Sequence, residues 1–239
     1  MGLFKKKSVD HALKDLVESL SAALGSKLLS VLMYGSKASG EFQEDRSDVN
    51  IFFVLSDASE ETRAKMSGPL GPWLKAGHPF PVFIQNSELS IYAGSLPIEF
   101  LDMQDHHKII FGSDFLRGFQ VDRTHLRAQC AQELSLKLLK LRQAMIVVYG
   151  KPKSLRELLI DSLPSVLTLY RAALRLEGDI PSGPKIVAAK ELAKRAGADA
   201  ECLERLWEVH MRRQTDNLED LAGRYLDSLE RVLVYIGRK

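Results

Sequence analysis

Cysteine is almost missing from this 239-residue chain: Cys130 and Cys202 are the only two. Their separation makes neither a metal-ligand spacing nor a disulfide framework, so a reducing cytoplasm is the expected compartment. An excess of one charge is missing too. Lys and Arg number 33 against 31 Asp and Glu, leaving a formal charge of +2, and bulk charge therefore offers no case for nucleic acid binding. Lys5-Lys6-Lys7 is the one basic run and reads as a solvated tail. No segment has the apolar length of a membrane span. The start lacks the apolar core of a signal peptide, and Lys6 breaks the myristoylation pattern that Gly2 would open. Internal repeats and low-complexity stretches are absent. What is present, 45% hydrophobic and 27% charged residues, is ordinary for a globular chain with one large or two small domains.

Against that plain background, residues 31–55 stand out. An apolar run, Val31–Tyr34, leads into Gly35-Ser36; a polar segment follows; then Ser47-Asp48-Val49-Asn50 opens a second apolar run, Ile51–Leu55. The pattern predicts a strand, a turn with a polar helical segment, and a buried strand. Asp48 and Asn50 are two apart and point to the same face of that strand. Polar side chains at the mouth of a buried strand call for a ligand or a turn to explain them. Gly35 lets the backbone approach closely, and Ser36 supplies a hydroxyl, as a phosphate would require.

The remainder divides by composition near residue 120. Val9, Leu13, Leu16, Val17, Leu20 and Leu24 predict a first helix after a Ser8 cap, closed by Gly25. A polar helix over 58–77 is expected to be interrupted around Gly68-Pro69 and Gly71-Pro72, with Trp73 packed. Val82–Gln85 predicts a short strand, 86–97 a loop, and Ile98–Met103 a third strand. Beyond that, helical periodicity predicts helices over 123–149, 154–177 with Pro164 as a kink, 184–197, 199–214 and from Asp216 or Asn217 to near the end. The expected class is α+β: a small mixed β-sheet with flanking helices over 1–118, then an all-α helical bundle over 119–239.

The segment GSKASGEFQEDRSDVNIFFV resembles the nucleotidyltransferase signature of the polymerase-beta superfamily, in the form seen in kanamycin-type and minimal nucleotidyltransferases. By motif and order the likeness covers most of residues 1–115; the helical half is similar in architecture only. The resemblance implies transfer of a nucleoside monophosphate from a nucleoside triphosphate to a hydroxyl, with Mg²⁺. It implies Gly35 and Ser36 for nucleotide binding, Asp48 and Glu99 as catalytic carboxylates, and Asp48, Asn50 and Glu99 around the metal. Two close carboxylates suit Mg²⁺, which takes few protein ligands and shares phosphate oxygens. Glu99 best matches a third carboxylate on a neighbouring strand, and Asp102 is the alternative on that strand's opposite face. The implied partners are a nucleoside triphosphate and an acceptor that is a small molecule, a protein or an RNA end. No membrane is implied, a homodimer is compatible, and the bundle is expected to wall the cleft.

The departure from the pattern is Asn50, which stands where the signature has a second Asp. An amide oxygen ligates a cation without bringing charge. This opens a rival reading, a catalytically impaired nucleotide-binding or regulatory protein that keeps the fold. Other candidates are weaker. His106-His107 reads as a pair of surface histidines, because adjacent side chains diverge. Arg205 and His210 superficially resemble the Arg-x4-His element of HEPN ribonucleases, but Leu206 replaces the polar residue expected after the Arg. Tyr149, Tyr170, Trp207, Tyr225 and Tyr235 read first as packing residues.

Overall fold

The computed structural model describes residues 9–35, 38, 49–118, 120–181, 183–211 and 217–238. Backbone contacts divide the chain into two compact units, Met1–Ser95 with Asp102–Gln120, and Leu96–Leu101 with Val121–Lys239.

The first unit is built on a four-stranded sheet of β1 (Leu28–Tyr34), β2 (Asn50–Leu55), β3 (Val82–Gln85) and β4 (His107–Gly112), in the order β3-β2-β1-β4. β1 pairs antiparallel with β2 and β4, while β2 and β3 run parallel. A parallel pair needs a crossover, and α2 (Glu60–Lys75) supplies it. α1 (Val9–Leu24) and α2 bury Leu16, Leu20, Met66 and Trp73 in one cluster with Val31, Met33, Ile51, Phe53 and Leu55. Those strand residues share one face by alternation; Leu32, Phe52 and Val54 on the other face are buried as well. A strand covered on both faces reads as an unbroken apolar run, which is what made β2 visible in the sequence. Gly112 sits at φ +74 beside a register shift in β4, and a Cβ there would meet the Leu29 carbonyl oxygen at 2.0 Å. Only glycine allows that approach.

The far end of β2 is tied to the start of α2 by one polar cluster. Lys27 Nζ lies 3.1 Å from Asp57 Oδ2 and donates to Thr62 Oγ1 at 3.1 Å. Thr62 Oγ1 and the Ser59 backbone N–H both donate to Asp57 Oδ1 at 2.9 Å. Ser59 also caps α2, its hydroxyl accepting from Thr62 N. Bonds from Ser59, then from Thr62 and Lys27, hold the Asp57 carboxyl well below the usual carboxylate range.

Three expectations about this unit need correction. α2 runs unbroken from Glu60 to Lys75 with Pro69 and Pro72 inside it; Trp73 is buried, and its Nε1 donates to Pro79 O at 2.8 Å. The segment expected as a loop over 86–97 holds a 3-10 turn and α3 (Leu89–Ser95). Ile98–Met103 is not a strand: it lies in α4 (Pro97–Asp105). Pro97 suits the first turn of a helix, and Ile98, Phe100, Leu101 and Met103 are all buried. A short apolar run fits either period, and burial decided it. The strand is the next segment, β4, which pairs with β1.

The second unit is helical: α5 (Arg123–Val147), α6 (Pro152–Leu174), α7 (Lys185–Arg195), α8 (Ala200–His210) and α9 (Leu218–Gly237). α6 lies at its centre, with Leu159, Leu163, Val166 and Tyr170 fully buried among residues of the other four helices. Asp122, Asp199 and Asn217 cap α5, α8 and α9 through their side chains. Ser154 lies inside α6, which begins at Pro152. α8 ends at His210, and Arg212–Asp216 lie outside the described residues. Arg171, 3% exposed, donates to Gly183 O and Pro181 O and so fastens the loop before α7. Among the described residues no helix is long and apolar enough to cross a membrane.

A carboxyl with a depressed folded pKa contributes stability above its unfolded value and loses it as pH falls toward the folded one. Asp57→Asn is therefore expected to lower the melting temperature near neutral pH, and the gap to the parent to narrow below about pH 4. Thermal melts down to acid pH check this, and a gap that never narrows contradicts it.

Candidate functional site

The site grows from the end of β1. Gly35 follows the strand at φ +79, and its carbonyl accepts from Ala38 N at 2.9 Å, making a turn. The Gly35 N–H donates to the His106 carbonyl at 3.3 Å. That N–H is thus used to pin the turn to the segment entering β4, and it does not face outward for a phosphate. Glycine is needed here for its positive φ and for the approach of Asn50: a Cβ on Gly35 would lie 3.0 Å from Asn50 Nδ2. Ser36 and Asp48 lie outside the described residues.

Asn50 opens β2 and stands directly opposite Tyr34, which in turn stands opposite His107 on β4. Directly paired residues share a sheet face, so Asn50, Tyr34 and His107 form a row across three strands. It lies on the face away from the cluster with α1 and α2. Burial raises the Tyr34 phenol's pKa, and the negative charge of Asp102 adds to the rise. Asp102 therefore lies near this row.

Glu99 is placed differently. It is an exposed residue of α4, in the part of that helix belonging to the helical unit. Its Oε2 accepts from Gln129 Nε2 at 2.9 Å, while Gln129 Oε1 accepts from the Ile98 N–H at 2.9 Å. On a helix, Glu99 and Asp102 are one turn apart on one side, not on opposite faces of a strand.

Among the described residues, none of the strands carries an Asp or Glu. Among the described residues no three His, Cys, Asp or Glu side chains gather to hold a metal ion. Mg²⁺ prefers charged oxygen ligands; Asp48, the charged ligand expected beside the neutral Asn50 amide, lies outside the described residues. The two thiols are poor metal ligands. Burial, followed by nearby carboxylates, pushes Cys130 and Cys202 up to about 12, so both stay neutral. Arg205 pairs with Glu201 at 2.8 Å, and the His210 ring stacks on Trp207.

His106-His107 does not behave as a surface pair. The His107 side chain is 15% exposed and lies 3.2 Å from Asp114 Oδ1 through Nε2. Its partner Asp114 and its neighbour Tyr34 went unnoticed in the sequence. Tyr34 had one signal, an aromatic ending an apolar strand directly before Gly-Ser.

The four-stranded mixed sheet with flanking helices, followed by a helical region, is a nucleotidyltransferase-like fold. Among solved structures the chain is similar to spectinomycin adenyltransferase AAD(9) from Enterococcus faecialis, with ATP and spectinomycin. The TM-score is 0.56 over 95% of this chain and 99% of that chain, at 13% sequence identity. No protein-family model matches the chain, and no curated protein matches it by sequence.

Gly35→Ala is expected to destabilise by about 1–3 kcal/mol, from a strained backbone and displacement of the Asn50 side chain. Denaturant unfolding measures it; an unchanged midpoint contradicts the close packing of Gly35 on Asn50.

Proposed function

We propose that this chain binds a nucleoside triphosphate at the head of β1 and β2 and transfers its nucleoside monophosphate to a hydroxyl acceptor. The observation that carries the reading is the Gly35 turn packed on Asn50, at the head of a sheet with the nucleotidyltransferase-like topology. In this reading Gly35 shapes the turn, Ser36 donates to phosphate, and Asp48 and Asn50 face the nucleotide. Mg²⁺ arrives as part of the Mg-nucleotide substrate and shares its phosphate oxygens.

The acceptor oxygen attacks the α-phosphorus, the bond from that phosphorus to the bridging oxygen breaks, and pyrophosphate leaves. The acceptor's proton passes to a carboxylate on α4. Glu99 is the residue implied by the family resemblance, and Asp102 is the one near Tyr34. With two free, buried thiols, a reducing cytoplasm suits the chain. The neighbouring adenyltransferase was solved with ATP and spectinomycin, which makes ATP with a small hydroxylated acceptor the first pair to try.

A second reading has its own support. Asn50 brings no charge where the signature has an Asp. That departure favours a protein that binds the nucleotide and releases no pyrophosphate, acting through a partner.

Calorimetric titration with ATP, with and without Mg²⁺, coupled to a pyrophosphate assay across hydroxylated acceptors, separates the two. Pyrophosphate release supports transfer; binding without release supports the second reading; no nucleotide binding overturns both. Asn50→Asp is expected to tighten Mg-ATP binding by roughly tenfold, about the 1.4 kcal/mol that a new charge-assisted contact supplies. Unchanged or weaker affinity contradicts the charge argument. If transfer occurs, Glu99→Gln or Asp102→Asn is expected to cut kcat by about 10²-fold or more, and the one that does so is the base.

A further inference from the structure

α5 is apolar on two sides, and the bundle uses one of them. Leu126, Cys130, Leu134, Leu138 and Leu141 are buried among the other helices. On the opposite side Leu136, Leu139, Ile146 and Val147 are exposed, and Tyr149 is exposed in the turn that follows. The exposure is large: 79% for Ile146, 69% for Val147 and 87% for Tyr149. Single exposed apolar residues need no explanation, but a continuous apolar stripe marks a contact surface. Gln132, Leu136, Leu139, Gln143 and Ile146 are all exposed and follow at steps of four, three, four and three residues. That spacing is the seam between two long helices, and here it runs for about 20 Å of helix.

The stripe is complementary to an inverted copy of itself in both shape and charge. Its spacing reads the same in either direction. An antiparallel second α5 therefore sets Leu136 opposite the partner's Ile146 and Leu139 opposite the partner's Gln143. Its two ends carry opposite charges. Glu133 flanks the N-terminal end, and Lys151 stands at the C-terminal end, where its Nζ donates to the Val147 carbonyl at 3.1 Å. Inversion brings each Glu133 toward the partner's Lys151, twice by symmetry. Arg142 is already paired with Glu230 of α9 on its own chain. Lys140, near the two-fold axis, is exposed, and repulsion from its copy is screened by solvent and salt.

We propose that the outer face of α5 is a two-fold interface on which a second copy of this chain docks antiparallel. Leu136, Leu139 and Ile146 form its apolar centre, Val147 and Tyr149 extend it, and the Glu133–Lys151 pairs set the orientation. The interface is independent of the nucleotide reading, since all of these residues belong to the helical unit.

Sedimentation equilibrium of the full chain, from micromolar to submillimolar concentration, reads the association. The expected result is a concentration-dependent doubling of mass. Leu139→Glu combined with Ile146→Glu should raise the dimer dissociation constant by about 100-fold or more, and circular dichroism melts check that the variant stays folded. Both positions are exposed, so the fold is expected to tolerate them. Glu133→Lys should weaken the dimer by about tenfold, and adding Lys151→Glu should restore it. Cys130 and Cys202 are buried, which leaves a cysteine introduced on the stripe as the reactive one. An equimolar mixture of Leu139→Cys and Gln143→Cys chains should form the mixed disulfide faster than either chain crosslinks alone. A monomer at every concentration overturns the proposal and leaves the stripe to a different partner. A dimer untouched by the Leu139 and Ile146 substitutions places the interface elsewhere and overturns it too. Failure of both the charge reversal and the mixed disulfide overturns the antiparallel arrangement.

Discussion

The hydrogen bond from the Gly35 N–H to the His106 carbonyl is the contact on which the candidate site depends. It joins the end of β1 to the entry of β4, and it forms only because Gly35 takes a positive φ that other residues adopt at a cost. With the turn fixed there, the Asn50 side chain can lie against the glycine Cα, and Tyr34 stands between Asn50 and His107 in one row. Moving any of these shifts the others, because paired strands and a bulge-free register at this end leave little slack. The same bond removes Gly35 as a phosphate donor, which leaves its role as one of shape.

Charge distribution around this row sets what the site can do. Among the described residues the strands bring no carboxylate, and Asp102 from α4 and Asp114 from the turn after β4 bring negative charge from outside the sheet. In a sheet buried on both faces, a carboxylate on a central strand would be costly without a partner. A neutral Asn50 carries no such cost, and it forgoes the electrostatic hold on a cation that an aspartate would have.

Much of the architecture was legible in the linear order of residues. The unbroken apolar run of β2, the Gly-Ser turn and the helical spacing of α5 to α9 are each set by neighbours close in the chain. The apolar run 98–103 does not: with Pro97 ahead of it, both periods are allowed, and only its burial with Leu126 and Cys130 shows a helix. β4 was missed for the converse reason. His107–Gly112 has weak alternation, and its strand character comes from pairing with β1, a partner more than seventy residues away.

Local composition by itself determined the class of fold, the Gly35 turn and the Asn50 departure, since each depends on neighbours within one strand or turn. Tertiary structure decided which side chains meet there. Tyr34, His107 and Asp114 come together through the register of β4 on β1, and Glu99 turns instead toward Gln129 on α5. Such meetings depend on strand register and helix phase, which set direction in space, and no short-range pattern in the chain encodes them.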